Sequence, residues 1–296
     1  MIHWTSSGVV STPTTVQIRV TSHTDSTLSV GHAQPTRRLS LEEFRQNLQY
    51  FRHGLDTPRS ISCTSITISG LPIDSLAADY FKTLADFPFN YATLHLSTAT
   101  STPICWSVLE QYEGVFDRFV LSFGPNIPDL DIPKWVLPKL YCIVSLSGTP
   151  STFEPWIEHW IQQKTAYSTH VVFSYPVPLG PNHPLPPQSI SSIFSRLMPL
   201  LKQRTRPTTL KGLPVCLMPT LIHKNVTVSS KTSNRWYVDA EHQCSEALLF
   251  FPDILHYHKD DQCRFCIHDG HCDGFFLEYL TNNIHLSAIL DDTLQS

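Results

Sequence analysis

Between residues 16 and 204 the chain alternates between short runs rich in β-branched and aromatic residues and longer stretches whose apolar residues recur at three and four. The short runs are VQIRVT (16–21), TSITISG (64–70), YATLHLS (91–97), RFVLSFG (118–124), YCIVSLSG (141–148) and HVVFSYPVPLG (170–180). Their composition is that of strands, and most end in Gly, Ser or Pro. The stretches between them, 40–54, 73–87, 104–116, 132–140, 152–165 and 187–204, carry helical periodicity, the fourth weakened by Pro133 and Pro138. Ser40 with Glu43 three residues on forms a capping box at the start of the first helix. Strands separated by helices pair in parallel through right-handed crossovers, so the pattern predicts an α/β fold. Six such units suit an open, partial (β/α)6 barrel over residues 16–205, preceded by an N-terminal extension (1–15).

After residue 204 the alternation stops. Residues 206–296 read as a small Cys-rich region with too little regular apolar patterning for a large core, and regions of this kind are often stapled by metal. The net charge of −4 offers no basic field for counterion release, so nucleic acid is not an expected partner. The N-terminal residues lack the early basic and apolar segments of a signal peptide, and the longest apolar stretches, such as ALLFFPDIL, fall far short of a membrane span. The expected address is cytoplasmic, without a membrane. In a reducing compartment eight cysteines read as thiols and metal ligands rather than disulfides. Cys63, Cys105, Cys142 and Cys244 stand singly in or near apolar runs and read as small core residues. Trp156 and Trp160, four apart on one helix face, read as packing.

The sharpest local signal is CRFCIHDGHCDGFF (263–276), a C-x2-C-x5-C cluster. A tight turn across C-x2-C points both sulfurs at one site, and the third cysteine can close on it, so Cys263, Cys266 and Cys272 are candidate metal ligands. A fourth must come from elsewhere in the chain. Cys216 in GLPVCLMP is the leading candidate, with Cys244, His256, His258, His268 and His271 in reserve. Four thiolates suit zinc or an iron–sulfur cluster, and the spacing alone does not choose between them. Zinc ribbons ordinarily pair two C-x2-C knuckles, whereas one is present here.

The PVC segment at the end of a partial β/α barrel, followed by C-x2-C-x5-C-x-G and a Tyr-containing helix, resembles the C-terminal end of certain radical S-adenosylmethionine (SAM) proteins. The resemblance runs from residue 16 to about 282 and implies a barrel of six β/α units. It also implies an auxiliary [4Fe–4S] cluster held by Cys216, Cys263, Cys266 and Cys272, with Gly274 and Tyr279 after them. Two features of that family are missing. Its C-x3-C-x2-C motif, which leaves one iron open to SAM, belongs in the loop after the first strand, where TSHTDSTLSVGHAQP (21–35) has no cysteine. Asp25, Ser29 and His32 keep the spacing but are a poor donor set for a cluster. Its Gly-Gly-Glu-Pro turn appears as ISGLPID, with Gly70 and Pro72 in register and Leu71 where the Glu belongs. An apolar Leu71 cannot receive the ammonium of SAM, which puts SAM binding in doubt.

The resemblance therefore implies a barrel that is not an enzyme on its own. The expected role is an accessory subunit that partners an active radical SAM enzyme in modifying a peptide or other biosynthetic substrate. Two other readings stay open. One is a zinc-stapled binding protein without a redox role. The other is an enzyme using strand-end groups, with Asp25, His32, Asp74 and His95 the titratable residues to test. No H-E-x-x-H, G-x-S-x-G or P-loop occurs, and SLSGTPS (145–151) reads as ordinary strand-to-helix punctuation.

Overall fold

The computed structural model describes residues 13–21, 37–53, 62–96, 104–124, 131–163, 169–176, 184–206, 208–217, 226–229, 235–238, 248–249, 257–272 and 274–280. All six expected strands form: β1 (Thr15–Arg19), β2 (Ser65–Ser69), β3 (Tyr91–Leu96), β4 (Arg118–Phe123), β5 (Leu140–Ser145) and β6 (His170–Ser174). The helices are α1 (Leu41–His53), α2 (Ala77–Ala85), α3 (Trp106–Gln111), α4 (Pro150–Gln162) and α5 (Pro187–Lys202). The weak fourth stretch forms only a turn and a single 3-10 turn at Leu137–Lys139. The strand pattern also runs on past residue 204. β7 (Thr208–Lys211), β8 (Val226–Ser229) and β9 (Trp236–Val238) extend the parallel ladders and β10 (Leu248–Leu249) adds an antiparallel edge, short strands that sequence periodicity does not separate from loop.

The chain divides into two compact lobes. The first contains residues 1–25, 32–121 and 234–250, and its strands run in the order β10-β9-β1-β2-β3-β4, parallel except at the β10/β9 edge. The second contains residues 26–31, 122–233 and 251–296, with the order β5-β6-β7-β8, all parallel. The class is α/β, with the strand and helix alternation of a partial β/α barrel.

Each lobe has one apolar and one polar sheet face. On β1 and β2, Val16, Ile18, Ile66 and Ile68 are buried, and Val16 lies in register with Trp236 of β9. Trp236 meets Phe51 of α1, while Phe119 of β4 reaches Phe81 of α2 through Phe116, so the helices cover this face. In the second lobe Phe173 of β6 packs edge-on against Phe194 of α5, and Trp160 of α4 packs on Phe123 and Trp156, as expected of the tryptophan pair. The opposite faces carry Gln17, Arg19, Ser69 and Thr93 in the first lobe, and half-buried Tyr141, His170, Thr209 and Lys211 in the second. Fully covered parallel sheets have apolar residues on both faces, whereas here the strands alternate. The side-chain oxygen of Gln17 is buried without a partner, at an ordinary cost of about 1–3 kcal/mol.

Local signals hold where they were strong. The Ser40 N–H donates to the Glu43 carboxylate (2.8 Å) and the Glu43 N–H to the Ser40 hydroxyl (3.2 Å), closing the capping box on α1. Among the single cysteines, Cys63 and Cys142 are core residues, and Cys244 lies outside the described residues. Cys105 departs from the core reading: it stands half-buried at the N-cap of α3, with its sulfur 3.4 Å from the Ser107 hydroxyl.

These placements order the thiols by reactivity. Burial pushes Cys63 and Cys142 up from 9.0 to about 12, and the Ser107 hydroxyl holds Cys105 below its ordinary value. Folding thus favours the protonated forms of Cys63 and Cys142. Their stabilisation is complete below pH 9 and is lost as pH rises toward about 12. In native labelling followed by peptide mapping, Cys105 should react readily, and Cys63 and Cys142 only on unfolding or in that alkaline window. Labelling of either core thiol at the Cys105 rate near pH 8 would contradict this packing.

Candidate functional site

The Cys-rich segment is a closed hairpin. Two short strands, β11 (Tyr257–His258) and β12 (Phe275–Phe276), pair antiparallel with Tyr257 opposite Phe276 and His258 opposite Phe275. Between them the backbone advances in threes, with the Cys263 N–H donating to the Asp260 carbonyl (2.9 Å), Cys266 to Cys263 (3.0 Å) and Asp269 to Cys266 (3.0 Å). Side chains three apart eclipse along such a path, which is why C-x2-C presents Cys263 and Cys266 on one side. The Asp260 carboxylate starts the path by accepting from the Gln262 N–H (3.2 Å). Lys259 spans the loop, with its ammonium 2.7 Å from the Asp269 carbonyl and 2.8 Å from the carboxylate.

Gly274 fixes the third thiol. Its φ of +88° is in the left-handed region, and an added Cβ would lie 2.2 Å from the His258 carbonyl oxygen. Its N–H donates to the Cys272 sulfur at 3.3 Å, an interaction that favours the thiolate. All three thiols are half-buried. Cys263 is held above its ordinary value by burial first; the Asp260 backbone contact opposes this, and neighbouring Cys272, Asp260 and Cys266 add to it. A bound cation would reverse that preference at Cys263.

An aromatic clamp holds the hairpin on the second lobe. Phe275 and Phe276 are buried, and Tyr175, the residue after β6, contacts Phe275 (5.3 Å) and Tyr279 (5.2 Å). Tyr257 stacks on Phe276 (4.4 Å), and Tyr279 meets both phenylalanines. The Tyr175 hydroxyl donates to the Leu185 carbonyl and its N–H to Lys211 at the end of β7. Each ring pair adds about 0.5–1.5 kcal/mol beyond its burial. The exposed Lys259–Asp269 pair is worth about 0–1 kcal/mol, so the rings are the stronger tether.

The clamp sets the hairpin at the carboxyl end of β6 and β7. Cys216 lies beyond that same end of β7, on the single turn Val215–Leu217 reached through Gly212 and Pro214. Cys263, Cys266 and Cys272 thus share one hairpin, and Cys216 follows β7 in the same lobe. Among the described residues, no group of three or more His, Cys, Asp or Glu meets metal-ligand geometry. The donor chemistry nevertheless fits a thiophilic metal or cluster: two eclipsed thiols, and a third that accepts a backbone N–H. Of the reserve ligands, Cys244 and His256 lie outside the described residues, and nothing is described of the His271 side chain. His258 is exposed and His268 half-buried.

The corresponding end of the first lobe is built differently. The Val20 N–H donates to the Ser69 carbonyl (2.8 Å), and the Thr21 hydroxyl donates to Gly70. Gly70, with φ +65°, lets the strands close, since an added Cβ would meet the Thr21 carbonyl at 2.7 Å. Leu71 is fully buried. Asp25, Ser29 and His32 lie outside the described residues. Asp74 caps α2 by accepting from Leu76 (2.9 Å) and Ala77 (3.2 Å), with Arg38 at 3.8 Å, while His95 stands half-buried on β3. Sequence reasoning missed Tyr175 and the buried Gln17 and Arg19. The polar alternation within TVQIR was the available signal for the latter two.

No family model matches the chain, and no curated protein matches it. Among solved structures, the crystal structure of Streptococcus suis SuiB bound to S-adenosylmethionine aligns with a TM-score of 0.56 at 10% identity. The match covers 97% of this chain and 78% of that one. The likeness is one of fold alone. Among the described residues no helix is long and apolar enough to cross a membrane.

Gly274→Ala tests the geometry of the hairpin. The added methyl must push against the His258 backbone from a disfavoured φ, so a loss of more than about 1 kcal/mol is expected, together with slower alkylation of Cys272, whose thiolate loses the Gly274 N–H. Unchanged stability and labelling would show that the turn does not position this thiol.

Proposed function

We propose that this protein is an accessory subunit with a radical-SAM-like fold, without a SAM-cleaving cluster of its own, that carries an auxiliary-type [4Fe–4S] cluster. In this reading it partners an active radical SAM enzyme in modifying a peptide or other biosynthetic substrate. One contrast carries the reading: thiols are gathered at the carboxyl end of the second lobe, while fully buried Leu71 and a Cys-free 21–35 segment stand where the family's SAM-binding features belong.

Cys216, Cys263, Cys266 and Cys272 would hold the cluster, which supplies one-electron transfer when bound. Gly274 orients Cys272 and stabilises its thiolate through the N–H contact. The Tyr175, Phe275 and Tyr279 rings exclude water from the inner side of the hairpin. Leu71 offers no acceptor for the SAM ammonium. The likeness to a structure of SuiB bound to SAM supports the fold part of this reading alone.

The test is reductive SAM cleavage. Anaerobically reconstituted protein, reduced with dithionite in the presence of SAM, should release no 5′-deoxyadenosine. Tagged full-length protein captured anaerobically from its native extract should bring with it a C-x3-C-x2-C protein that does cleave SAM. Cleavage by the chain alone, or capture of no such protein, would overturn the accessory role.

A further inference from the structure

The hairpin leaves apolar surface in water. Among the described residues five large apolar side chains are exposed, and three of them, Phe265 (62%), Ile267 (53%) and Leu277 (59%), belong to the segment 257–280. A single exposed apolar residue is ordinary, whereas apolar residues gathered at one place mark a contact surface. Phe265 and Ile267 are gathered in this way, one on either side of Cys266.

The backbone at Cys266 is extended (φ −78°, ψ 132°). Side chains alternate along extended backbone, so Phe265 and Ile267 project to one side and Cys266 to the other. Burial follows the alternation, with Cys266 half-buried behind an exposed apolar pair. Arg264 completes the patch, its guanidinium over the Phe265 ring at 4.7 Å. Asp261 stands three residues earlier on the same 3-10 turn, yet no ion pair joins the two, and among the described residues Arg264 has no carboxylate partner. Lys259 is by contrast paired with Asp269 (2.8 Å), and the Asp260 carboxylate is taken by the Gln262 N–H (3.2 Å). The patch thus sets an unpaired cation beside exposed apolar surface, and its complement is an apolar recess with a carboxylate at the rim. Arginine and aromatic residues are also the types that most often anchor protein interfaces.

We propose that Arg264, Phe265 and Ile267 form the docking surface for the SAM-cleaving partner, a protein that presents an apolar recess rimmed by carboxylate. The inference rests on the accessory role proposed above and names the surface that serves it. Docking at this patch sets the partner against the backbone that carries Cys266, on the side away from its sulfur. Redox encounters bury less than about 1,200 Å² in total, so a three-residue anchor is in keeping with one.

The experiment takes the C-x3-C-x2-C protein captured by the wild-type chain, purifies it, and titrates it with the anaerobically reconstituted full chain. Wild type is compared with Phe265→Ser/Ile267→Ser, Arg264→Glu, Arg264→Gln and, as a control at an exposed apolar site of the first lobe, Leu76→Ser. Affinity should fall about tenfold or more in Phe265→Ser/Ile267→Ser and in Arg264→Glu, less in Arg264→Gln, and not in Leu76→Ser. Wild-type affinity should also fall with added salt. Metal content and thermal melts establish that each variant folds. Arg264→Glu, which removes no apolar contact, carries the test if the double variant does not fold. Equal binding by wild type and the folded variants, tighter binding by Arg264→Glu, or self-association through the patch while the partner still binds would overturn the docking surface and leave the accessory role standing. Capture of no SAM-cleaving protein by wild type would overturn both.

Discussion

The alternation of side chains along the parallel strands is the constraint from which the rest follows. Val16, Ile18, Ile66 and Ile68 can be buried only on one face, and α1 and α2 cover that face through Phe51 and Phe81. The period of two then sends Gln17, Arg19, Ser69 and Thr93 to the other face. A register slip of one residue would exchange the faces and place Arg19 against the helices, so the register is strongly specified. Parallel pairing also gathers the turns after the strands at one end, where the Gly70–Leu71 turn and the Cys216 turn are found in their respective lobes.

The hairpin is a different kind of structure. Its strands are two residues long, too short to be stable alone, and its ion pair is exposed. It is held from below by rings and from within by tight turns. Gly274 connects the two: its left-handed backbone joins the Cys272 sulfur to the strand that places Phe275 and Phe276 in the core. A metal centre there would add its binding free energy to a local fold that has little of its own.

Much of the fold was legible because its signals are local. The six strands, the Ser40–Glu43 cap and the weakness of 132–140 follow from propensity and spacing over a few residues. The strands after residue 204 were not legible, since β9 and β10 are three and two residues long and are specified by their neighbours in the sheet. At the candidate site, C-x2-C announced itself because three-residue spacing has a direct geometric meaning. The Tyr175 clamp did not, because about a hundred residues of chain separate it from Phe275 and nothing near Tyr175 marks that pairing. Cys105 was misread because an apolar neighbourhood in sequence turned out to be a half-exposed helix cap.

We propose a division of labour, with electron transfer or structure at the hairpin and SAM chemistry in a partner, on the strength of a Cys-free 21–35 segment, a buried Leu71 and the cysteines of the second lobe. The identity of the bound metal tests this most directly. Iron, acid-labile sulfide and zinc should be measured on protein purified without oxygen, wild type beside Cys263→Ala/Cys266→Ala. About four irons and four sulfides per chain, lost in the variant together with the thiolate-to-iron absorbance, is the predicted result. One zinc without iron would contradict the redox role and reduce the hairpin to a structural staple.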